Sequence, residues 1–258
     1  MTRRQAVAGG FAAVASAAAV AACGSSSSGS VGGGGGATPA SLAPSHGSYS
    51  PRIDPSEFSS AIDNPFFPLR VGANFHLAGT AENGRTPQAD VSVVTGRTRT
   101  ILGVKSRAVR DTVLERGRPI ERTIDYYAQD RRGNVWYMGE RSLDRQGGRF
   151  VKGSDSWLAG VSGAQPGIIM PAQPAPSGGS YRQEYYPGHA MDQARVIGSG
   201  GTLQTPAGTF RHTLTTVESS VLEPGLREQK WYEHGIGEIK EAVVKGNREH
   251  FTLTAYRR

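Results

Sequence analysis

The chain lacks most of the patterns that assign a protein to a functional class. Cys23 is the only cysteine among the 258 residues, so no disulfide can form within one copy of the chain. Beyond the N-terminus, no long stretch places apolar residues at the i, i+3, i+4 and i+7 positions of a helix. The formal net charge is +7, but no block of one sign stands out, which indicates a solvated surface rather than a nucleic-acid or anionic-membrane site.

Sequence motifs for catalysis, metal binding and nucleotide binding are missing as well. The histidines show neither zinc-protease nor Cys/His spacing. No G-x-S-x-G motif indicates a serine nucleophile, although a triad assembled in space cannot be read from one sequence. No phosphate-binding glycine motif follows a strand and opens a helix, and Gly32–Gly36 reads as linker. We therefore expect no cofactor, no metal ion and no nucleic-acid partner.

The N-terminus contains an export signal. Arg3 and Arg4 precede Ala6–Ala22, an uncharged run of mostly Ala and Gly that is too short and too weakly apolar for a comfortable membrane span. These features predict a cleaved signal peptide over residues 1–22. The paired arginines resemble a twin-arginine signal, and the general secretory route stays open as an alternative.

The end of this signal resembles the lipobox of bacterial lipoproteins, Val20-Ala21-Ala22-Cys23. The resemblance implies diacylglycerol attachment to Cys23, cleavage before it, and N-acylation, commonly with palmitate. The alternative is an ordinary signal peptide with an incidental cysteine. We expect a protein held on the cell membrane by its lipid anchor and facing outside the cytoplasm.

Residues 23–50 continue with a low-complexity Gly, Ser, Ala and Pro sequence. Such a composition buries too little apolar surface to offset chain entropy, which predicts a flexible, disordered linker. Residues 51–258 are then a single β domain.

Short β-prone runs separated by turn signals predict an all-β domain of about ten to twelve mostly antiparallel strands, in a sandwich or a curved half-barrel. Asn83-Gly84 and Arg116-Gly117 each lie between two such runs and predict hairpins. Near the C-terminus, Phe251, Leu253 and Ala255 alternate with polar residues, as on a half-buried strand.

Two further features concern the organisation of the domain. Gly103 and Tyr127 are separated by 24 residues, as are Gly208 and Tyr232, and both intervals contain strand, turn and strand. This indicates an internal repeat, with chance similarity between hairpins as the alternative. Residues 154–180 are long for a connection and rich in Gly and Pro, which predicts an irregular, lid-like loop.

Several long motifs resemble a group of uncharacterised bacterial secreted proteins and lipoproteins. They span roughly residues 63–256, and the group implies no known activity. The motifs are NPFFPL at 64–69, DYYAQD at 125–130 with GNVWY at 133–137 and Gly139-Glu140, PGIIMPA at 166–172, and YRQEYYPG at 181–188. The group pattern has acidic residues where this chain has Leu158, Ser162 and Met191.

A turn is predicted where the DYYAQD motif meets the GNVWY motif. Asp130 and Asn134 are residue types found in calcium loops, but Arg131-Arg132 between them would oppose a cation. An Asx-type hairpin turn is the better interpretation.

The densest polar and aromatic cluster lies in residues 181–192. Arg182 and Glu184 share one face of a strand and either fix a polar head group or satisfy each other. The tyrosines offer large contact areas with polar tips. We predict a binding site for an amphiphilic or polar small ligand, with a purely structural corner as the alternative. Its predicted residues are Trp157, Tyr181, Arg182, Glu184, Tyr185, Tyr186, His189 and Asp192.

Two functions remain open at this point. The first is a non-enzymatic ligand-binding or envelope-structural lipoprotein, and the alternative is an extracytoplasmic hydrolase with scattered catalytic residues. A buried, convergent set of Asp, Glu, His and Ser in one cleft would favour the hydrolase. A dry apolar concavity would favour the binding protein.

The lipobox leads to a direct test. Replacing the only thiol by Cys23→Ala should release the protein from the membrane or leave it unprocessed, because no other side chain can accept the diacylglycerol as a thioether. Metabolic labelling with a fatty acid measures the outcome, and an acyl label that persists on the variant would contradict lipidation at Cys23.

Overall fold

The computed structural model describes residues 38–258. Residues 1–37, with the predicted signal peptide, Cys23 and the first part of the predicted linker, lie outside the described residues. The described part of the chain has sixteen β-strands, one α-helical turn at Pro39–Leu42, and 3-10 helices at Pro55–Glu57 and Pro176–Gly178. None of its helices is long and apolar enough to cross a membrane.

The prediction of an all-β domain is confirmed, but ten to twelve strands is too few. The additional strands are short, such as Arg149–Lys152 and Trp157–Leu158, or interrupted by glycines, such as Asp192–Thr205, so none shows a long apolar alternation. In chain order the strands are β1 (Phe58–Ser59), β2 (Asn74–Thr80), β3 (Pro87–Ile101), β4 (Val104–Glu115), β5 (Arg118–Asp130), β6 (Val135–Gln146), β7 (Arg149–Lys152), β8 (Trp157–Leu158), β9 (Gln165–Met170), β10 (Ser180–Arg182), β11 (Glu184–Tyr185), β12 (Asp192–Thr205), β13 (Gly208–Ser220), β14 (Arg227–Glu233), β15 (Gly237–Lys245) and β16 (His250–Arg257).

The two predicted hairpins are present. Between β2 and β3, the Asn83 side-chain oxygen accepts hydrogen bonds from the backbone N–H groups of Arg85 and Thr86, both at 2.8 Å. Between β4 and β5, Arg116 and Gly117 both have positive φ, 50° and 75°, which is the conformation of a two-residue type I′ turn. Local turn chemistry therefore determines both connections.

The predicted alternation on β16 is only partly right. Phe251 and Leu253 are fully buried, as expected, but Ala255 is exposed. A bulge between Leu253 and Ala255 shifts the register against β2, so the side-chain alternation changes phase at Thr254.

All sixteen strands belong to one antiparallel sheet, in which β1 pairs with β5 while β7 and β8 pair with β6. The other thirteen strands follow the order β10-β12-β13-β14-β15-β16-β2-β3-β4-β5-β6-β9-β11. Its two end strands, β10 and β11, follow each other in the chain and are separated only by Gln183. The Gln183 N–H donates to the Asp192 carbonyl at 2.8 Å, so the backbone crosses from one end of the sheet to the other here. We call this junction the seam. The sheet is thus a nearly closed barrel rather than a sandwich or half-barrel.

Residues 154–180 are irregular over most of their length, as predicted, but they also contain β8 and β9. They are not a free lid, because Ile168 and Met170 on β9 are fully buried in the larger apolar cluster of the domain. Gly167 on β9 faces the seam so closely that a Cβ atom there would lie 2.3 Å from the Gln183 carbonyl carbon. β9 is thus a strand of the barrel wall, and its glycine permits this close approach.

Residues 38–50, which we call the N-terminal segment, lie against the seam. Ala43 is fully buried and Tyr49 is nearly so, with its hydroxyl donating to the Pro166 carbonyl at 2.7 Å. The Arg182 guanidinium donates to the carbonyls of Pro44 at 2.7 Å and of Gly47 at 2.8 Å. The disordered linker therefore cannot extend to residue 50, because the second half of the predicted linker is packed on the barrel.

This packing has a testable consequence. Deleting residues 38–50 should lower the free energy of unfolding by about 3 kcal/mol or more, and the melting temperature by about 6 °C or more, because it removes a buried tyrosine ring and leaves the buried Arg182 without acceptors.

Deleting residues 24–37 is the matched control. This segment is rich in Gly and Ser and is similar in length to residues 38–50. We expect that variant to melt like the parent in a thermal scan. Equal melting temperatures for both deletions would contradict a stabilising role of the N-terminal segment.

Candidate functional site

The barrel contains a cavity of about 110 Å³. Strands from both halves of the sheet line it, β2 to β5 and β9 on one side and β14 and β15 on the other. Its wall is apolar and aromatic in part and acidic in part. The lining residues are Phe67, Pro68, Leu69, Phe75, Leu77, Asp90, Ser92, Val109, Asp111, Asp125, Tyr127, Ile169, Lys230, Tyr232, Ile236, Gly237, Glu238 and Glu241.

Strand register places three aspartates on one face of the sheet. Asp90 on β3 is paired with Val113, two residues from Asp111 on β4, and Asp111 is paired with Thr123, two residues from Asp125 on β5. Directly paired residues and residues two apart on a strand share a face. The three carboxyl groups therefore form a diagonal row along the cavity wall.

Burial raises the pKa of these carboxyl groups, because the charged form loses its hydration. The pKa of Asp90 rises to about 7, and that of Asp125 also rises to about 7. Burial and the neighbouring Asp90 raise the pKa of Asp111 well above its usual value. Asp90 and Asp111 are hydrogen-bonded to each other, which requires a proton shared between the two carboxyl groups.

Asp125 belongs to a second hydrogen-bonded group. The Tyr137 hydroxyl lies 2.7 Å from Asp125 Oδ1 and 2.9 Å from Glu140 Oε2. A phenol carries one proton, so it can donate to only one of the two carboxyl groups and must accept from the other. Burial raises the pKa of Glu140 well above its usual value, which is consistent with Glu140 holding that proton.

The only cationic side chain lining the cavity is Lys230. Its ammonium group lies 3.2 Å from Glu241, 3.8 Å from both Glu218 and Glu228, and 3.9 Å from Glu238. Burial alone would lower the pKa of Lys230, but the four carboxylates raise it well above its usual value. Lys230 thus stays charged and is fully committed to these carboxylates.

The eight predicted site residues lie at the seam and not at this cavity. Trp157, Tyr181, Arg182, Glu184 and Asp192 are buried, Tyr185 and Tyr186 are half-buried, and His189 is exposed with its ring stacked 4.3 Å from that of Tyr186. None of them lines the cavity. A ligand at this cluster stays a prediction.

Arg182 and Glu184 have different partners, so they do not satisfy each other as one alternative supposed. Arg182 binds the carbonyls of the N-terminal segment and stacks over Tyr49 and Tyr185, at 5.3 and 4.5 Å from the ring centroids. Glu184 is hydrogen-bonded to Asp192, and burial raises the pKa of Glu184 well above its usual value. Arg182 is therefore not available for a head group.

The turn at Asp130 has the predicted Asx geometry. Asp130 Oδ1 accepts from the backbone N–H groups of Arg132 and Asn134, both at 2.9 Å, and Oδ2 accepts from the Asn134 amide at 2.8 Å and from the Trp136 indole at 2.9 Å. Within residues 38–258 no group of three or more His, Cys, Asp or Glu side chains could hold a metal ion.

Sequence reasoning missed the cavity residues because they alternate with other polar residues. On β14, Lys230 faces the interior while its neighbours Gln229 and Trp231 are half-exposed, so neither face is apolar throughout. One weak signal was present: Tyr127 and Tyr232, the ends of the two repeat intervals, are both buried and both line the cavity. The internal repeat itself stays a prediction.

The chain was compared with known proteins. No protein-family model and no curated protein matches it. One similar crystal structure is that of a protein predicted to be exported, with a YmcC-like fold, from Bacteroides fragilis; it is 14% identical, covers 75% of this chain and 99% of its own, and has a TM-score of 0.42. Another is a protein predicted to be a lipoprotein from Parabacteroides distasonis, 16% identical, covering 74% of this chain and 98% of its own, with a TM-score of 0.33. Neither similarity assigns a function to this chain.

The buried carboxyl groups predict how stability depends on pH. Unfolded aspartates lose their protons near pH 4, whereas Asp90 and Asp125 keep theirs in the folded state up to about pH 7. Between about pH 4 and pH 7 the folded state therefore holds more protons than the unfolded state. The free energy of unfolding is greatest below this interval and falls as the pH rises through it to about 7. The free energy of unfolding in urea should be at least about 2 kcal/mol higher at pH 5 than at pH 8.

Three variants separate the contributions to this fall. Asp125→Asn should reduce the decrease in the free energy of unfolding below pH 7 only. Glu249→Gln should reduce this decrease up to about pH 9, because burial raises the pKa of Glu249 to about 9. Asp54→Asn is the control: a hydrogen bond from Ser56 lowers the pKa of Asp54, so its contribution lies below pH 4. A free energy of unfolding that increases from pH 5 to pH 8 would contradict the raised pKa values of Asp90 and Asp125.

Proposed function

We propose that this protein is a lipid-anchored binding protein that faces outside the cytoplasm and holds a small ligand in its barrel cavity. The lipobox at Val20–Cys23 supports the anchor and the location. One observation supports ligand binding above the others: the cavity combines rings and aliphatic side chains with Asp111. This carboxyl group is 8% exposed, and apart from the proton it shares with Asp90 no protein donor reaches its Oδ1 atom. Small-molecule sites commonly combine an apolar wall with a few polar groups in this way.

The cavity matches neither the dry apolar concavity expected of a binding protein nor the convergent set of Asp, Glu, His and Ser expected of a hydrolase. It is not a dry apolar concavity, because five carboxyl groups and one ammonium group line it. It also has no histidine, and Ser92 is the only hydroxyl side chain besides the two tyrosines. Its volume is below the roughly 150 Å³ of a cavity that binds benzene, so it encloses a group of only a few heavy atoms.

A hydrolase remains the second candidate because of the Asp90–Asp111 pair. Two carboxyl groups that share a proton can act together as general acid and general base on a water molecule. The pKa of about 7 for Asp90 is close to that of an efficient acid–base catalyst at neutral pH. Turnover of a generic ester, phosphate or glycoside that is lost in both Asp90→Asn and Asp111→Asn would establish hydrolysis and overturn simple binding.

The binding proposal is tested on protein purified from its own membrane. Native mass spectrometry should detect a small molecule bound to the parent protein. Ser92→Leu should abolish this adduct, because the larger side chain fills part of the cavity from β3.

Thr98→Leu is the matched control, since it makes a comparable change on the same strand outside the cavity lining. We expect it to retain the adduct. Loss in both variants, or retention in both, would place the ligand elsewhere, with the cluster of eight residues at the seam as the next region to test. Protein that carries no adduct at all would favour the envelope-structural alternative.

A further inference from the structure

The cavity has a surplus of acidic groups over basic ones. Asp90, Asp111, Asp125, Glu238 and Glu241 line it, together with a single cation, Lys230. Two more carboxylates, outside the lining, also contact the Lys230 ammonium group. Lys230 cannot neutralise all of these acidic groups, and burial raises the pKa of Glu228 and Glu238 well above its usual value, so protons neutralise part of the surplus.

The unmatched groups are hydrogen-bond acceptors. Apart from the proton that Asp90 and Asp111 share, no protein donor within residues 38–258 reaches Asp90 Oδ1 or Asp111 Oδ1, although both atoms are buried. Two carboxylate oxygens can be joined only by a proton held between them or by a donor that comes from outside the protein. A ligand that supplies N–H donors with a positive charge can replace the shared proton and neutralise the pair.

The remainder of the wall limits which cation fits. Phe75, Leu77, Val109 and Ile169 present hydrocarbon, which a hydrated metal ion does not contact favourably. The described residues also contain no cluster with the geometry of a metal site. A volume of about 110 Å³, compared with about 150 Å³ for a cavity that binds benzene, suits about five heavy atoms.

We propose that the cavity is a binding site for an organic ammonium group on a short alkyl chain, with its N–H groups on Asp111 and Asp90 and its carbons against Leu77 and Ile169. This inference rests on the proposed binding function and specifies the ligand class. The amine is either a free small molecule or the head of a longer amphiphile whose tail extends out of the cavity.

Such binding depends on pH in a defined direction. The groups facing Asp90 are Asp111, Asp125, Glu238, Glu241 and Lys230. Those facing Asp111 are Asp90, Asp125, Glu121 and Tyr127. Those facing Asp125 are Tyr127, Tyr137, Glu121, Glu140, Asp90, Asp111 and Asp155. A bound ammonium favours the ionised carboxylates, so binding releases protons and weakens as the pH falls through about 7. An alkyl amine itself stays charged throughout this range.

The test compares three probes with the same four-carbon chain, n-butylammonium, n-butanol and butyrate, added to the full chain at pH 8. Methyl NMR signals of Leu77 and Ile169 report on the cavity directly. We expect saturable shifts with n-butylammonium alone, and an affinity about tenfold or more lower at pH 6. Equal binding of n-butanol would overturn the ammonium assignment and leave the binding function intact. Failure of all three probes overturns the ammonium assignment, and the mass-spectrometric adduct then decides the binding function separately.

Variants test the named contact. Asp111→Asn should lower the affinity for n-butylammonium about tenfold or more, because an amide cannot carry the negative charge that pairs with the ligand. Glu233→Gln is the matched control, a buried carboxylate on β14 that accepts from the His212 N–H outside the cavity lining. An unchanged affinity in Asp111→Asn, or an equal loss in Glu233→Gln, would overturn the proposal.

A longer probe, n-octylammonium, separates the two sources of the amine. Tighter binding than n-butylammonium supports the head of an amphiphile, since each additional buried methylene raises the affinity about fourfold. Weaker binding supports a free small amine enclosed by the cavity.

Discussion

The closure of the sheet at Gln183 is the constraint on which the rest of the structure depends. The chain passes from β10 to β11 through this one residue, so the first and last strands of the sheet are covalently continuous. Closure brings β3, β4 and β5 to face β14 and β15, and the cavity lies between these two groups of strands. In the sheet order only β15, β16 and β2 separate β14 from β3, so without the seam the carboxyl row and Lys230 would lie on one face of an open sheet and face water.

The same seam fixes where the described part of the chain begins. The N-terminal segment is bound there through Arg182 and Tyr49, so the described chain begins at a fixed point on the barrel. Cys23 lies 15 residues before Thr38, a contour length of at most about 50 Å. If Cys23 carries a lipid, the barrel is held close to the membrane surface with the seam toward its anchor.

Burying acidic groups is costly unless they are paired or protonated. This barrel uses both solutions, with Lys230 among four carboxylates and with shared protons at Asp90–Asp111 and Glu184–Asp192. A core held together by shared protons is coupled to the proton concentration, and a cavity next to it is coupled in the same way to any cation that displaces those protons. Stability, pH response and ligand choice are therefore linked through one set of groups.

Local chemistry in the sequence was sufficient for the features that depend on neighbouring residues. Asn83, Arg116-Gly117 and Asp130 each predict a turn because a side chain or a positive φ satisfies the backbone within a few residues. The register change at Ala255 could not be predicted, because a bulge depends on how the partner strand is paired.

The sequence by itself thus determined the all-β class and the principal hairpins, since each is encoded in short runs of residues, and in the same way it predicts the export signal and the lipobox. Only the tertiary structure decided where the linker ends, because Arg182 binds backbone carbonyls that any sequence would offer. It also decided the candidate site. Strands alternate their side chains between two faces, and when both faces carry polar residues, as around Lys230, only the closure of the sheet determines which of them is enclosed.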